Sequence, residues 1–287
     1  MSAEHGSFPL GVMNSTLPHL LPAEFAAAAA EAGYDFVSLR IATSQAGEPF
    51  RLLPGSPELA QTKQVLAGAG LPVMDLEFVT FTAKTRPDHW LWMVETTVEL
   101  GASYLNAGCK HGDLELFAEQ AAALDAAAGE AGIHVLLEPI KFYSALDYAE
   151  LAELASTLPN TGILLDALQL YRFAVQTPAD GVEDVQFRAL ETAGDVADQS
   201  GVFQLCDIGQ VHPEGTDAAE RLAFYEHEAR FARVLPGTGF AELSKIAALL
   251  PAGTPISIES PHTELAERMG DVSYLRELRR RALQILP

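Results

Sequence analysis

Cationic side chains are scarce in this chain. Eighteen Lys and Arg stand against 39 Asp and Glu, a formal net charge of −21 over 287 residues. A surface this acidic repels phosphate backbones and anionic lipid, so nucleic acid and membrane surfaces are not expected partners. The one basic run, Arg279-Arg280-Arg281, lies in the last helical segment, where it complements the helix dipole. Cysteine is nearly absent. Cys109 and Cys206 fall at the ends of different predicted strands and are too few for a disulfide framework, so a reducing, cytoplasmic setting is expected. Long apolar runs are missing as well: no stretch approaches the roughly 18 residues that suggest a membrane span. The N-terminus shows no basic segment leading into an apolar one. No low-complexity linker and no close internal repeat divides the chain, and a single domain over residues 1–287 is expected.

What is present is an alternation of short apolar runs with longer helical segments. Strands are predicted at Leu10–Asn14, Phe36–Arg40, Val73–Phe78, Tyr104–Ala107, His134–Ile140, Gly162–Leu168, Val202–Asp207 and Pro255–Ser260. Helices are predicted near 22–32, 57–69, 88–100, 113–131, 147–157, 179–199, 240–250 and 264–285. Proline opens several of them (Ser56-Pro57, Arg86-Pro87, Thr177-Pro178), and Gly33, Gly70, Gly101 and Gly132 follow others. Eight such units in a chain of this length predict an α/β fold of the closed (β/α)8, or TIM barrel, type. An open doubly wound sheet usually carries a glycine-rich first turn, whereas the turn here reads Asn14-Ser-Thr-Leu-Pro18. The connection from Ile208 to Thr238, after the seventh strand, is unusually long, and its segment 216–232 reads as helical. An extended βα loop acting as a small lid is expected there.

Four of the apolar runs end on an oxygen-bearing side chain: Glu138, Asp166, Gln204 and Glu259. A charge that closes a buried strand is costly unless it is paired or metal-bound. With side chains alternating, these four share the barrel's inner face with Leu136, Leu164, Val202 and Ser257. Arg40, Glu77 and either Asn14 or Asn106 are placed to point inward from earlier strands. All lie at the C-terminal strand ends, where barrel enzymes hold their chemistry. Three carboxylates and a carboxamide oxygen form a hard shell suited to Mn²⁺ or Mg²⁺, with Co²⁺ a further candidate. Read singly, each of these residues has a plainer account: a helix cap, an ion pair or, for Gln204, a satisfied core amide. Asp207 reads as a cap, Pro236-Gly-Thr-Gly239 as a tight turn, and Trp90 and Trp92 as packing residues facing different ways. His111, His212 and His227 read as solvated loop or lid residues. Arg230 and Arg233, placed on one helical face, either form a surface ion-pair ridge with Glu226 or reach over the barrel mouth to a substrate anion. Lys141, close after Glu138, is a further candidate for that anion.

The segments Leu-Leu-Glu138-Pro, Leu-Leu-Asp166-Ala-Leu-Gln169, Phe-Gln204-Leu-Cys-Asp207, Arg233-Val-Leu-Pro-Gly-Thr-Gly239 and Ile-Ser-Ile-Glu259 together resemble the sugar phosphate isomerase/epimerase family, the xylose isomerase-like barrels. The resemblance implies a metal held by Glu138, Asp166, Gln204 and Glu259, with glutamine where the family usually has histidine. It implies a second such replacement at Gln169, a position for substrate binding, and it implies homo-oligomers. The basic, histidine-rich endonuclease branch of the family does not suit this acidic chain.

The expected substrate is a small polyhydroxy carbonyl compound, and the expected chemistry is α-proton abstraction through an enediolate, with Glu138 and Glu259 as the proton-transferring pair. Arg40, Glu77, Lys141, Gln169, Arg230 and Arg233 are the expected substrate contacts. Isomerisation, epimerisation and dehydration share this first step, as does elimination from an oxidised glycoside. A non-catalytic sugar-binding barrel is the alternative from another class, favoured by the two glutamines.

Overall fold

The computed structural model describes residues 8–43, 50–212 and 217–286. Eight parallel strands close into a barrel: Leu10–Met13 (β1), Phe36–Arg40 (β2), Val73–Phe81 (β5), Tyr104–Cys109 (β6), His134–Leu137 (β7), Thr161–Asp166 (β8), Ser200–Leu205 (β9) and Ile256–Ile258 (β10). Their order around the barrel is β1, β10, β9, β8, β7, β6, β5, β2. A two-stranded antiparallel ribbon, Ala42–Thr43 (β3) with Phe50–Arg51 (β4), follows β2. Helices Pro22–Ala32 (α1), Pro57–Ala69 (α2), Leu91–Leu100 (α3), Leu114–Ala131 (α4), Tyr148–Ser156 (α5), Ala167–Ala174 (α6) and Val182–Val196 (α7) follow in turn. Ala218–Phe231 (α8), Leu243–Leu249 (α9), Thr263–Met269 (α10) and Asp271–Ile285 (α11) complete the chain. Among the described residues no helix is long and apolar enough to cross a membrane.

The local rules work as the sequence suggests. The Ser56 hydroxyl accepts the Leu59 N–H at the start of α2. Gly33, Gly70, Gly101 and Gly132 end their helices with positive φ, the conformation that a residue without Cβ adopts freely. Trp90 is buried and Trp92 half-buried, so the two do face different ways. Cys109 and Cys206 are buried free thiols.

Most boundaries differ from the sequence reading by a few residues, and two segments differ more deeply. The run Gly162–Leu168 is strand only as far as Asp166, and α6 starts at the next residue. Asp166 Oδ1 accepts the Gln169 N–H at 2.9 Å, so the side chain that ends the strand also caps the helix. Seven of the eight residues of α6 are buried, which hides its helical period behind an apolar run. The segment 264–285 divides into α10 and α11 at Gly270, where φ is +78°.

Inside the barrel, Leu136, Leu164 and Val202 pack together with Met74 and Tyr104 and seal its floor. These three inner-face residues are the ones that strand alternation places two positions before Glu138, Asp166 and Gln204. Ser257, the fourth, bonds Ser38 Oγ at 2.9 Å. This layer is therefore apolar on the side of β7, β8 and β9 and polar on the opposite side, where Ser38 and Ser257 meet.

The long connection after β9 contains α8, as expected, and that helix is bolted down. Fully buried Arg172 in α6 donates from Nε to Glu228 Oε2 at 2.7 Å and from Nη2 to Glu228 Oε1 at 2.5 Å. Its Nη1 donates to the carbonyls of Gln210 and Val211, each at 3.0 Å. Removing one member of such a pair strands a buried charge. Arg172→Met should therefore lower unfolding free energy by roughly 3–5 kcal/mol in a urea titration and open residues 208–238 to limited proteolysis. The double variant Arg172→Met/Glu228→Met should recover most of that loss.

Candidate active site

The strand ends deliver their polar side chains into one region. Asp166 and Gln204 are fully buried, and they are direct register partners across β8 and β9. Glu138 and Glu259 each lie one residue beyond their strands, on main chain that continues the barrel bonding. Glu138 N donates to Ala107 O, and Glu259 N to Leu205 O. Glu77, Glu138, Gln169, Arg233 and Glu259 line a cavity of about 470 Å³ at the barrel mouth.

The centre of the region is a guanidinium. Arg233 Nη1 donates to Asp166 Oδ2 at 2.5 Å, and Nη2 lies 2.9 Å from Glu259 Oε2. The remaining oxygens of these carboxylates are also engaged, Asp166 Oδ1 by the Gln169 N–H and Glu259 Oε1 by the Ser15 hydroxyl at 2.7 Å. This corrects the pairing of Arg233 with Arg230 on one helical face. Helix α8 ends at Phe231, and the chain then bonds to the segment after β10 through Arg233 N and Pro261 O at 3.1 Å. Arg230 stays on the helix and pairs with Glu226 at 3.0 Å, while Arg233 turns into the barrel.

Around this clasp lies an unevenly satisfied ring. Gln204 Nε2 donates to Glu77 Oε1 at 2.7 Å, and Arg40 Nη2 reaches Glu77 Oε2 at 3.4 Å. The other end of that carboxamide, Gln204 Oε1, is buried with no partner. No described residue hydrogen-bonds or ion-pairs with the Glu138 carboxylate, which faces the cavity. Gln169 Oε1 accepts the Lys141 N–H at 3.0 Å, so this residue braces the loop after β7. Lys141 itself does not line the main cavity. Its ammonium sits 4.4 Å from the centre of the Phe173 ring, beside a separate cavity under α8. Asn14 turns away to the Leu20 carbonyl, and Asn106 is the asparagine that points inward.

Asp75, Ser38 and Ser15 belong to the site although the sequence reading passed over them. Asp75 is fully buried beneath Glu77. It accepts from Asn106 Nδ2 at 2.6 Å and from the Ser38 hydroxyl. The available signal was periodicity: Ser38 and Asp75 stand two residues before Arg40 and Glu77, on the same strand faces.

Five carboxylates (Asp75, Glu77, Glu138, Asp166 and Glu259) thus share the barrel mouth with two guanidiniums, Arg40 and Arg233. Burial raises the proton affinity of Glu138 well above the usual carboxylate range, and the charges of Asp166, Glu77 and Glu259 add to it. Burial likewise pushes Glu259 up to about 8 against the opposing pull of Arg233, and it raises Glu77 against Arg40. Asp75 is lifted to about 6 by burial, with its Ser38 and Asn106 hydrogen bonds working the other way.

The donor set is all oxygen, and an orphaned carboxamide oxygen and an unpartnered carboxylate belong to it. That chemistry fits a hard divalent cation. As the described residues stand, no three Asp, Glu, His or Cys side chains converge on one point, because Arg233 occupies the gap between Asp166 and Glu259.

Asp75 gives a pH-dependent prediction. Its folded pKa of about 6 lies above the ordinary aspartate value of 3.8, so between these values the folded state binds more protons and stability falls as pH rises. Above about pH 6 the ionised group costs on the order of 3 kcal/mol. Asp75→Asn should therefore be more stable than the wild type in urea titrations at pH 8. That advantage should shrink as pH falls through the unfolded value and vanish below about pH 3, where the wild-type group is protonated in both states.

Comparison with known proteins agrees with this architecture. The profile of the xylose isomerase-like TIM barrel family matches residues 26–280. Sequence comparison with curated proteins finds no match. Among solved structures, the chain superimposes on the IolI protein with a bound zinc atom with a TM-score of 0.70 and 14% identity, covering 97% of this chain and 98% of the other. For D-allulose 3-epimerase from Methylomonas sp. the values are 0.65, 17%, 96% and 97%. For a xylose isomerase-like TIM barrel protein from Mycobacterium smegmatis in complex with magnesium they are 0.62, 15%, 99% and 98%. At these identities the likeness to solved structures is one of fold, while the profile match spans most of the sequence: the chain belongs to the xylose isomerase-like TIM barrel family.

Proposed function

We propose that this protein is a divalent-cation-dependent isomerase or epimerase of a sugar or sugar-like hydroxy-carbonyl compound. The observation that carries the reading is the conjunction of Gln204 Oε1, buried without a partner, and the Glu138 carboxylate, open to the cavity with no protein partner. A buried acceptor left without a partner is costly, and a cation together with a substrate would satisfy both groups. Relatives in fold solved with zinc and with magnesium support a metal, and the likeness to a D-allulose 3-epimerase supports the reaction class.

Glu138, Asp166, Gln204 and Glu259 would hold the ion, with Mn²⁺ or Mg²⁺ preferred and Co²⁺ able to substitute. When bound, it would polarise the substrate carbonyl and offset the charge that develops on it. Glu138 is the base that takes the proton α to the carbonyl, since its carboxylate faces the cavity with no protein partner. Glu259 follows β10, three strands around the barrel from β7 with β9 and β8 between, and is placed to return the proton from another side of the substrate. Return to the neighbouring carbon isomerises, and return to the opposite face epimerises. Arg233 lines the cavity and can donate to a substrate oxygen while keeping Asp166 in place. Gln169 positions the loop after β7 and takes no part in proton transfer, because a carboxamide does not titrate.

A lyase acting on an oxidised glycoside would use the same first step. The isomerase reading also fits a cytoplasmic protein and leaves room for a homo-oligomer.

The test is solvent exchange. With the Mn²⁺-loaded protein in D₂O and a panel of ketohexoses, NMR should show deuterium entering the substrate α-carbon. Glu138→Gln should slow that exchange at least about 100-fold, the scale of a lost general base. Unchanged exchange in the variant would remove Glu138 from the role.

A further inference from the structure

Five of the chain's 18 cationic residues (Arg40, Arg51, Lys110, Arg230 and Arg233) line the cavity of about 470 Å³ at the barrel mouth. In a protein with a net charge of −21 that is a marked local concentration. The five fall into two groups. Arg40 and Arg233 are committed at depth, to Glu77 at 3.4 Å and to Asp166 and Glu259 at 2.5 and 2.9 Å. Arg51, Lys110 and Arg230 stand further out, on segments that follow β2, β6 and β9.

The outer three are positioned by aromatic faces more than by carboxylates. The Lys110 ammonium lies 4.4 Å from the centre of the Tyr143 ring. The guanidinium carbon of Arg51 lies 5.9 Å from the Trp92 ring centre, and that of Arg230 lies 5.8 Å from Phe142. Arg230 also pairs with Glu226 at 3.0 Å, whereas Arg51 and Lys110 have no carboxylate within ion-pair distance among the described residues. An aromatic face orients a cation and leaves its charge available to a further anion. The cavity is therefore polarised, with a carboxylate-rich floor and a cationic rim. A neutral sugar would engage the floor and leave the rim charges unused.

We propose that the rim selects the substrate: it carries a carboxylate or a phosphate at the end remote from its reacting carbons, held by Arg51, Lys110 and Arg230. This rests on the reaction proposed above and names the substrate class for it. Two guanidiniums and an ammonium suit either group, since arginine forks onto both oxyanions and lysine supplies a point charge. The acidic surface elsewhere gives an anion little purchase outside this mouth.

Three ketoses that differ only at C6 test the proposal: D-fructose, D-fructuronate and D-fructose 6-phosphate, titrated calorimetrically into the Mn²⁺-loaded protein at low ionic strength. At least one anionic ketose should bind tenfold or more tightly than fructose, and the advantage should shrink as salt is added. Arg51→Gln/Lys110→Gln should erase that advantage and leave fructose affinity and thermal unfolding unchanged. A gain confined to fructuronate assigns a carboxylate, and one confined to fructose 6-phosphate assigns a phosphate. Equal affinities, no binding of any of the three, or an advantage that survives in the double variant would overturn the proposal. The exchange test decides the reaction separately. Anionic preference without α-proton exchange would refute the reaction and keep the rim, and exchange on fructose without anionic preference would do the reverse.

Discussion

The Arg233 clasp across Asp166 and Glu259 is the interaction on which this site turns. A parallel barrel brings the C-terminal ends of its strands to one mouth, and here it brings carboxylates from four of them above a layer that includes the packed side chains of Leu136, Leu164 and Val202. In a medium of low dielectric that crowd of charge opposes folding unless something cationic enters it. The chain supplies a guanidinium to two of the four, gives Glu77 an arginine and a carboxamide, and leaves Glu138 to the cavity. Under the proposed function, this uneven sharing is what marks Glu138 as the group that acts first. Charges that the protein satisfies itself hold the mouth together, and the charge it leaves open is available for chemistry.

The rest of the C-terminal half can be read as the apparatus that delivers this arginine. Asp207, just past β9, accepts from the N–H groups of Ile208, Gly237, Gly239 and Ala241, which ties the turn at 236–239 to the strand end. A side chain at Gly239 would collide with the Ile208 carbonyl and the Asp207 carboxylate, so the close approach demands glycine there. The Arg172–Glu228 pair anchors the helix before Arg233, and short bridges from Ala232 to His262 and from Val234 to Asp207 set the register of the residues on either side of it. The long connection expected from its length to act as a lid is thus fastened at several points, and one product of that fastening is the position of a single buried cation.

How much of this was legible in the sequence follows from the range of the forces involved. The barrel was, because short Ile-, Val- and Leu-rich runs alternating with capped helices state their own period. The inner face was too: fixing Glu138, Asp166, Gln204 and Glu259 as inward-facing also placed Leu136, Leu164, Val202 and Ser257. Asp75 obeys the same rule and was hidden by its position mid-strand, where a charge is not anticipated. Helix α6 was masked because its burial on nearly all sides makes it look like more strand. Arg233 could be picked as a candidate but not placed. Its direction depends on bonds to Pro261 and, through its neighbours, to His262 and Asp207, contacts between segments that no local pattern encodes. Of the cationic rim only Arg230 was anticipated; Arg51 and Lys110 escaped for the same reason, since they are far from it in sequence and the three meet only once the barrel closes.

The central claim is that the barrel mouth is organised to hold one divalent cation beside a buried arginine. Anomalous diffraction at the manganese edge, on crystals of the full chain soaked in Mn²⁺, tests it most directly. The account predicts a single anomalous peak within coordination distance of Glu138, Asp166, Gln204 and Glu259, with Arg233 released from at least one of its two carboxylates. A map with no peak there, and Arg233 still spanning Asp166 and Glu259, would contradict it and leave that guanidinium in the place of a metal.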